Sequence, residues 1–346
     1  MSYIQLSNRK IGHDHPCLII AEAGVNHNGS IKIARQLVKE ASLAGADVVK
    51  FQTFKADEIV TINSPKAEYQ LKTTDNSITQ YEMLKSLELS REWHIDLMQH
   101  CQNNNIIFLS SPFDIKSIDF LDQIGVSGFK VPSGEIVNLP FLSHLTEKKK
   151  PLILSTGMST LGEVETAIKI IEEINYNNYV LLHCTTNYPT LPEEVNLNAM
   201  NTLKSAFQVP VGYSDHTEGI EVSIAAVAMG ACVIEKHFTL DKNMSGPDHK
   251  ASITPRELSK LVKSIRKVEK ALGSKRKYPV SIEMHNRKVV RKSIVASKSI
   301  KKGEIFTKEN LALKRAGHGI SSVLWDQILG KLAKKKFEKD ELIELF

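Results

Sequence analysis

The chain has 346 residues, of which 42% are hydrophobic and 24% are charged, and its net charge is +6. These proportions are typical of a globular protein with a large core and exclude a disordered chain. No N-terminal segment resembles a signal peptide, and the longest nearly apolar stretch, residues 223–234, is shorter than the ~20 residues that cross a bilayer, so we expect a cytoplasmic protein with no membrane partner.

Eight short runs rich in Ile, Val and Leu recur along the chain. They lack the alternation of polar and apolar residues that marks a sheet with one face in water. They therefore predict parallel strands that are covered on both faces. The runs are residues 17–21, 48–51, 106–109, 129–131, 152–154, 179–184, 209–212 and 232–234.

Helical patterns with recognisable ends lie between these runs. Apolar residues within 33–44 share one helical face, and Gly45 follows as a stop signal. Thr254 precedes Pro255 and Glu257, which is the pattern of an N-cap, a first-turn proline and a capping box. Strand and helix alternate about eight times, which predicts an α/β fold, a (β/α)₈ TIM barrel over residues 1–273.

Several segments fall outside this alternation. Residues 1–16 are expected to form a small hairpin over the barrel bottom, and residues 53–79 make a long connection of the kind that acts as a lid or contacts substrate. Residues 274–288 are polar and basic, which predicts a linker, and residues 289–346 predict a small β-rich domain. The four cysteines are scattered singly, which predicts buried reduced thiols.

Polar residues stand at the carboxyl ends of the apolar runs, and in a parallel barrel these ends converge on one mouth. Lys50 and Lys130 end the second and fourth strands. Hydroxyl groups stand at neighbouring strand ends, on Ser111, Ser133 and Ser155. Together they predict a site for a phosphate or carboxylate anion. The alternative is an internal salt bridge of the lysines with Glu22, Glu135 or Glu235.

His216 and His237 follow the seventh and eighth strands, and neighbouring strands lie ~4.8 Å apart. Two imidazoles at this spacing suit an open divalent-metal site that carboxylate, water and substrate complete. The alternative is that each histidine only bonds to a neighbouring strand end. Glu22 and Glu235 stand at the same mouth and can act as base, acid or support for a ligand.

The run SGPDH, residues 245–249, contains a Gly-Pro turn that presents Asp248. The Asp248 carboxylate is expected either to bind a sugar hydroxyl or to cap the turn.

From Lys275 onward, eighteen Lys and Arg stand against eight Asp and Glu. These lysines lack interleaved aromatic residues, so they predict a solvated face and no nucleic-acid partner. Arg315 differs because it stands between two turns and is well placed to reach outward.

Eight stretches, in order over essentially the whole chain, resemble the sialic acid synthase family. They are AEAGVNHNG (21–29), VVKFQTFKADE (48–58), FKVPSGEIVNLP (129–140), LSTGM (154–158), LLHCTTNYPT (181–190), GYSDHT (212–217), IEKHFTLDKNMSGPDHKAS (234–252) and KKGEIFTKENLALKRAGHGIS (301–321). The resemblance implies a TIM barrel followed by an antifreeze-like (SAF) domain of β-clip type. It also implies a domain-swapped homodimer in which that domain covers the partner's active site.

The resemblance further implies condensation of phosphoenolpyruvate with N-acetylmannosamine, or a close N-acylated analogue, to a nine-carbon 2-keto acid such as N-acetylneuraminate, with release of phosphate. It assigns phosphoenolpyruvate to Lys50, Ser111, Lys130, Ser133, Ser155 and Thr186. It assigns the sugar to Gln52, Tyr188, Asp248 and, across the dimer, Arg315. A divalent ion, Mn²⁺ or Mg²⁺, is assigned to His216 and His237, and proton transfer to Glu22 and Glu235.

Two alternatives stay open. SPKAEYQ (64–70) resembles a branch that contains both N-acetylneuraminate and N,N'-diacetyllegionaminate synthases, so the acceptor can also be 2,4-diacetamido-2,4,6-trideoxymannose. The more distant alternative is another metal-dependent barrel aldolase or hydrolase that acts on a phosphosugar.

Overall fold

The structure, a computed structural model, describes residues 3–75, 77–173 and 177–344. The chain divides into two compact units, Met1–Gly273 and Ser274–Phe346. Within the described ranges, no helix is both long enough and apolar enough to cross a membrane.

The first unit begins with an antiparallel hairpin of β1 (Tyr3–Leu6) and β2 (Arg9–Gly12). Its buried side chains Ile4, Leu6 and Ile11 pack against residues at the amino-terminal ends of later strands, such as Leu18 and Val48. The hairpin thus covers the end of the sheet opposite to the polar strand ends, where residues 1–16 were predicted to lie.

Eight parallel strands form one sheet in which neighbours along the chain are neighbours in space. They are β3 (Leu18–Gly24), β4 (Val48–Thr53), β5 (Ile107–Pro112), β6 (Phe129–Val131), β7 (Leu152–Ser155), β8 (Tyr179–Cys184), β9 (Val211–Asp215) and β10 (Val233–His237). The last strand, β10, pairs with the first, β3, and β5 lies against β6. The sheet therefore closes on itself, and the predicted TIM barrel is confirmed.

Most helices follow the strands and bury one face each against the sheet. The helices of this unit are α1 (Ile31–Ala44), α2 (Ala56–Ile59), α3 (Glu68–Thr73), α4 (Gln80–Ser86), α5 (Arg91–Asn103), α6 (Ile115–Gln123), α7 (Leu139–Thr146), α8 (Leu161–Glu172), α9 (Ala199–Phe207), α10 (Glu221–Ala228) and α11 (Pro255–Leu272). Their predicted ends are present. Gly45 ends α1 in the left-handed conformation, with φ 88°, and the Thr254 and Glu257 side chains cap α11 reciprocally.

Most strands run further than the apolar runs that predicted them. β3 continues to Gly24, β9 to Asp215 and β10 to His237. The backbone ladder continues where the side chains become polar, because hydrogen bonding between strands does not depend on side-chain type. Consequently Glu22, Glu235 and several other candidate residues lie inside strands, which fixes their direction.

The long connection between β4 and α5 contains the three short helices α2, α3 and α4. Apolar side chains from this connection and from neighbouring loops form a small separate core, with Val25, Phe54, Met83 and Leu87 buried. The connection is therefore an ordered layer that carries its own core.

The second unit contains α12 (Ser281–Val290), the antiparallel pair β11 (Lys292–Ala296) and β12 (Leu311–Arg315), and α13 (Trp325–Ile328). A small core around Ile294, Phe306 and Phe337 holds it together. Residues 274–288 were predicted to be a linker, but α12 occupies part of this interval. The Glu283 carboxylate accepts a hydrogen bond from the Val280 N–H at 2.9 Å, which caps this helix.

Candidate active site

The carboxyl ends of the barrel strands surround a cavity of about 450 Å³. Most of the predicted site residues line it, namely Glu22, Lys50, Gln52, Ser111, Lys130, Ser133, Ser155, Thr186, Tyr188, His216, Glu235, His237 and Asp248. Arg315 is the exception, since it lies in the second unit at the end of β12, with an exposed side chain. Its placement at a partner's active site stays a prediction.

Two lysines and two glutamates form a buried cluster at the floor of the cavity. Lys50 Nζ lies 2.7 Å from Glu22 Oε2 and 3.6 Å from Glu235 Oε2, and Lys130 Nζ lies 3.4 Å from Glu235 Oε1. The predicted alternative of internal salt bridges is therefore present for Glu22 and Glu235. The third named partner, Glu135, instead accepts a hydrogen bond from Asn138 Nδ2 at 2.7 Å.

Strand register brings this cluster together. Glu22 on β3 stands opposite Lys50 on β4, and Gln52 stands opposite Ser111 on β5. Parallel strands in register point such partners to the same face. As a result, Lys50 Nζ donates to Ser111 Oγ at 3.0 Å, and Gln52 Nε2 donates to Glu22 Oε1 at 3.2 Å.

The two glutamates differ in how easily they ionise. Burial raises the pKa of Glu22, and the charge of Lys50 offsets this only in part. Burial also disfavours the ionised form of Glu235, but the charges of Lys130 and Lys50 outweigh it and lower the pKa of Glu235. Glu235 therefore favours its ionised form more strongly than Glu22 does.

Small hydroxyl groups line the side of the cavity formed by β6, β7 and the loop after β8. Ser133 Oγ accepts a hydrogen bond from the Gly157 N–H at 3.0 Å. A Cβ atom at Gly157 would lie 2.4 Å from Thr186 Oγ1 and 2.7 Å from Ser133 Oγ, so this close approach requires glycine. Ser155 Oγ is buried and has no hydrogen-bond partner among the described residues.

Two histidines and a tyrosine form an aromatic group on the other side. The ring centroids of His216 and His237 lie 5.4 Å apart, and the Tyr188 ring lies 4.2 Å from that of His216. His216 Nδ1 lies 2.6 Å from the Thr185 carbonyl oxygen, to which it donates, so Nε2 keeps its lone pair. Burial lowers the pKa of His216 to about 4 and also lowers that of His237, so both rings are neutral.

The second imidazole also has an available nitrogen atom. His237 Nδ1 has no hydrogen-bond partner in the described part of the chain and lies 3.7 Å from Asp248 Oδ2. Within residues 3–75, 77–173 and 177–344, no group of three or more His, Cys, Asp and Glu is placed to hold a metal ion. The two neutral imidazoles suit an open site in which water and substrate supply the other ligands.

The loop that carries Asp248 is tied to the first barrel loop. Asn28 Nδ2 donates to the Ser245 carbonyl at 2.8 Å, and Asn28 Oδ1 lies 3.0 Å from His249 Nε2. His249 Nδ1 in turn lies 2.7 Å from Thr239 Oγ1. Burial raises the pKa of Asp248 to about 6. Both loops were singled out in the sequence, but their connection was not foreseen.

Ser214 was not among the residues predicted from the sequence, but its hydroxyl donates to Glu235 Oε1 at 3.1 Å and lies 3.4 Å from His216 Nε2. Its neighbour Asp215 instead pairs with Lys236 at 2.8 Å and is fully buried outside the cavity lining. Alternation along β9 explains the difference, because successive side chains point to opposite faces. Counting back two residues from His216 would have identified Ser214.

Comparisons with known proteins agree with this geometry. A NeuB family model matches residues 37–277, and a SAF domain model matches residues 291–345. The N,N'-diacetyllegionaminic acid synthase of Campylobacter jejuni is 53% identical to the chain, over 94% of this chain and 98% of the relative. The protein of the same name from Legionella pneumophila is 52% identical, over 94% of each chain.

Among solved structures, the N-acetylneuraminic acid (sialic acid) synthetase of Leptospira borgpetersenii, in complex with citrate, has a TM-score of 0.73 and 35% sequence identity. The match covers 83% of this chain and 97% of that protein. The sequence and structure comparisons thus point to the same group of proteins.

Proposed function

The chain belongs to the NeuB family, and from this premise we propose that it is an N,N'-diacetyllegionaminic acid synthase. It condenses phosphoenolpyruvate with 2,4-diacetamido-2,4,6-trideoxymannose and releases phosphate. The observation that carries the proposal is that two relatives of this name share more than half of its residues, against about a third for the N-acetylneuraminic acid synthetase. We therefore propose 2,4-diacetamido-2,4,6-trideoxymannose as the acceptor rather than N-acetylmannosamine, which was the first expectation from the sequence.

Phosphoenolpyruvate is assigned to the side of the cavity with the two lysines. A substrate carrying phosphate and carboxylate needs cations and hydroxyl donors, and Lys50 and Lys130 lie there. Ser155 Oγ is buried without a partner among the described residues, which is the state expected of a hydroxyl that donates to a bound anion. The other proposed contacts are Ser111, Ser133 and Thr186.

The acceptor sugar is assigned to the part of the cavity that Gln52, Tyr188 and Asp248 line. Gln52 lies next to Glu22, and Tyr188 packs against both histidines. Asp248 is buried on a loop that three hydrogen-bonding side chains hold in place. A carboxylate and an amide at fixed positions are suited to binding sugar hydroxyl and amide groups.

We assign a divalent ion, Mn²⁺ or Mg²⁺, to His216 and His237. The support is that both rings are neutral, that both line the cavity, and that each has a ring nitrogen without a short hydrogen bond among the described residues. The Thr185 carbonyl orients the His216 ring, as outer partners of metal-bound histidines do. When bound, the ion polarises the aldehyde oxygen of the open-chain sugar as a Lewis acid.

The reaction forms one carbon–carbon bond and breaks one bond to phosphate. Carbon 3 of phosphoenolpyruvate bonds to the aldehyde carbon, and the aldehyde oxygen takes up a proton. Water adds its oxygen to carbon 2 and gives up one proton. The bond from carbon 2 to the phosphate oxygen then breaks, the hydroxyl group on carbon 2 becomes the keto group, and its remaining proton passes to the phosphate. We assign the proton transfers at the aldehyde and at water to Glu22 and Glu235, which both lie within 3.6 Å of Lys50 Nζ.

The protein is proposed to act as a cytoplasmic homodimer in which Arg315 of one subunit reaches the sugar bound by the other. The support is α12, which has no buried residue yet carries Ile282 and Val289, with exposed fractions of 73% and 57%. Exposed aliphatic residues on one helix are typical of a surface that another copy covers.

The test uses the full-length protein with phosphoenolpyruvate, Mn²⁺ and one of three acceptors. These are 2,4-diacetamido-2,4,6-trideoxymannose, N-acetylmannosamine and N-acetylmannosamine 6-phosphate. Phosphate release is measured, and the product is identified by mass spectrometry. We expect the largest kcat/KM with the diacetamido sugar and no phosphate release when any one of the three components is omitted.

Two outcomes would contradict the proposal. A larger kcat/KM with N-acetylmannosamine or its 6-phosphate would assign the chain to another branch of the family. Turnover of a phosphosugar without phosphoenolpyruvate would instead support the more distant aldolase or hydrolase alternative.

A further inference from the structure

One wall of the cavity is aliphatic and has no part in the chemistry described above. Five side chains form this wall, namely Val25, Ile59, Met83, Leu84 and Leu87. All five belong to the small separate core under the β4–α5 connection. We call them the aliphatic wall. Because they pack on one another, they present a continuous apolar surface to the cavity.

The aliphatic wall is connected to the residues assigned to the sugar. Val25 follows β3, and the other four residues lie on the connection that follows β4, the strand that carries Gln52. The connection is also joined to the loop of Asp248, because Thr73 Oγ1 donates to the Pro247 carbonyl at 3.3 Å. A sugar held by Asp248 and Gln52 therefore lies against this wall.

An aliphatic wall discriminates between acceptor sugars. A hydroxyl group pressed against it loses its water without gaining a partner, whereas a methyl group gains contact and leaves water. Gln80 on α4 also lines the cavity, and its amide can pair with the N–H or C=O of an acetamido group. The surface is thus complementary to a deoxy, di-N-acetylated sugar.

We propose that the aliphatic wall determines acceptor specificity, by contacting the methyl groups at carbon 6 and on the 4-acetamido group of a 2,4-diacetamido-2,4,6-trideoxyhexose. The proposal rests on the proposed function, since it requires the sugar to bind beside Asp248. Leu84 on α4 is the best residue to test, because it is only half-buried and faces the cavity.

The experiment compares Leu84→Gln with Ile78→Gln in the full-length protein. Ile78 is also half-buried and packs on the same core, but it is not among the residues that line the cavity. For each protein, kcat/KM is measured with the diacetamido sugar and with N-acetylmannosamine at saturating phosphoenolpyruvate and Mn²⁺. We expect Leu84→Gln to lower the ratio of the two values about tenfold or more, with the phosphoenolpyruvate KM unchanged and the Ile78→Gln ratio near that of the wild type.

Each outcome separates this proposal from the proposed function. If the wild type prefers N-acetylmannosamine, the proposed function fails, and the wall assignment fails with it. If the wild type prefers the diacetamido sugar but Leu84→Gln keeps the ratio, only the wall assignment is overturned. Ile59→Gln, on α2 at the same wall, serves as the test if Leu84→Gln does not fold, and an unchanged ratio there would also overturn the assignment.

Discussion

Lys50 Nζ lies 2.7 Å from Glu22 Oε2, and both side chains are buried. Removing one member of a buried ion pair leaves the other charge without compensation, which typically costs about 3–5 kcal/mol. Lys50→Met should therefore lower thermal stability and, since a cation for the substrate anion is lost, raise the phosphoenolpyruvate KM about 100-fold or more. Thermal melts and steady-state kinetics measure the two effects.

Lys169→Met is the matched control, because Lys169 and its partner Glu165, at 2.8 Å, are both exposed. An exposed pair contributes about 0–1 kcal/mol, so both quantities should stay close to the wild-type values. A Lys50→Met protein with a wild-type phosphoenolpyruvate KM would remove Lys50 from the substrate site.

The metal assignment predicts the effect of removing an imidazole. His237→Ala should weaken Mn²⁺ binding about 100-fold or more, because one of two protein ligands is lost. Electron paramagnetic resonance titration of Mn²⁺ measures this without any turnover. His183→Ala is the control, since His183 lies on β8, bonds to the Val195 carbonyl and is not among the residues that line the cavity. Equal Mn²⁺ affinity in both variants would exclude His237 as a ligand.

The loop of Asp248 predicts a split between the two substrates. Gly246 has φ +150°, and a Cβ atom there would lie 2.7 Å from the His249 ring and 2.8 Å from Asn28 Oδ1. Gly246→Ala should push this loop away from Asn28 and raise the sugar KM about tenfold, while the phosphoenolpyruvate KM changes little. Gly162→Ala, where no atom lies within 4 Å of the added Cβ, should change neither value. A parallel rise in both KM values would contradict the assignment of this loop to the sugar.

Acid should destabilise the barrel through His94. Burial lowers the pKa of His94 from 6.5 to about 4, and the neutral ring bonds to Thr53 and to the Ser90 carbonyl. The unfolded state takes up the proton first, so this stability is fully present above pH 6.5 and is lost as the pH falls from about 6.5 towards 4. His94→Gln should thus be less stable than the wild type at pH 7 by thermal melting, with a smaller difference at pH 4.5.

The matched control for acid sensitivity is His13→Gln, because His13 is exposed directly after β2. This variant should follow the wild-type melting temperature at both pH values. A constant difference between His94→Gln and the wild type across this pH range would show that protonation of His94 does not contribute.

The dimer proposal predicts that subunit association and sugar binding are linked through Arg315. Arg315→Ala should raise the sugar KM and leave the melting temperature unchanged, since the side chain is exposed. Ile282→Glu on α12 should weaken the dimer in sedimentation velocity and raise the sugar KM similarly. Lys314→Ala, which removes an exposed pair with Asp340, is the control for charge. A wild-type protein that sediments only as a monomer would rule out the partner role of Arg315.

The limits of sequence reasoning are clearest at the strand ends. All eight strands were found, but β3, β9 and β10 were predicted too short, because their last residues are polar while the backbone ladder continues. The same error hid Ser214, since a strand that seems to end early gives no direction to its later side chains. The predicted linker was also only partly correct, because α12 begins inside it. The start of α12 is hard to recognise in the sequence, because Val280 stands at the cap position and has no capping hydroxyl. The Val280 N–H instead donates to the Glu283 carboxylate.

The sequence by itself determined the barrel and the residues that converge on its mouth, because strand and helix periods, caps and strand ends are local properties that a single chain segment carries. Only the tertiary structure decided which residues face one another there. The Glu22–Lys50 pair depends on the register of two strands. The aliphatic wall depends on packing between Val25 and residues that are irregularly spaced within 54–113. Such contacts join residues far apart in the chain, and their geometry exists only once the sheet has closed.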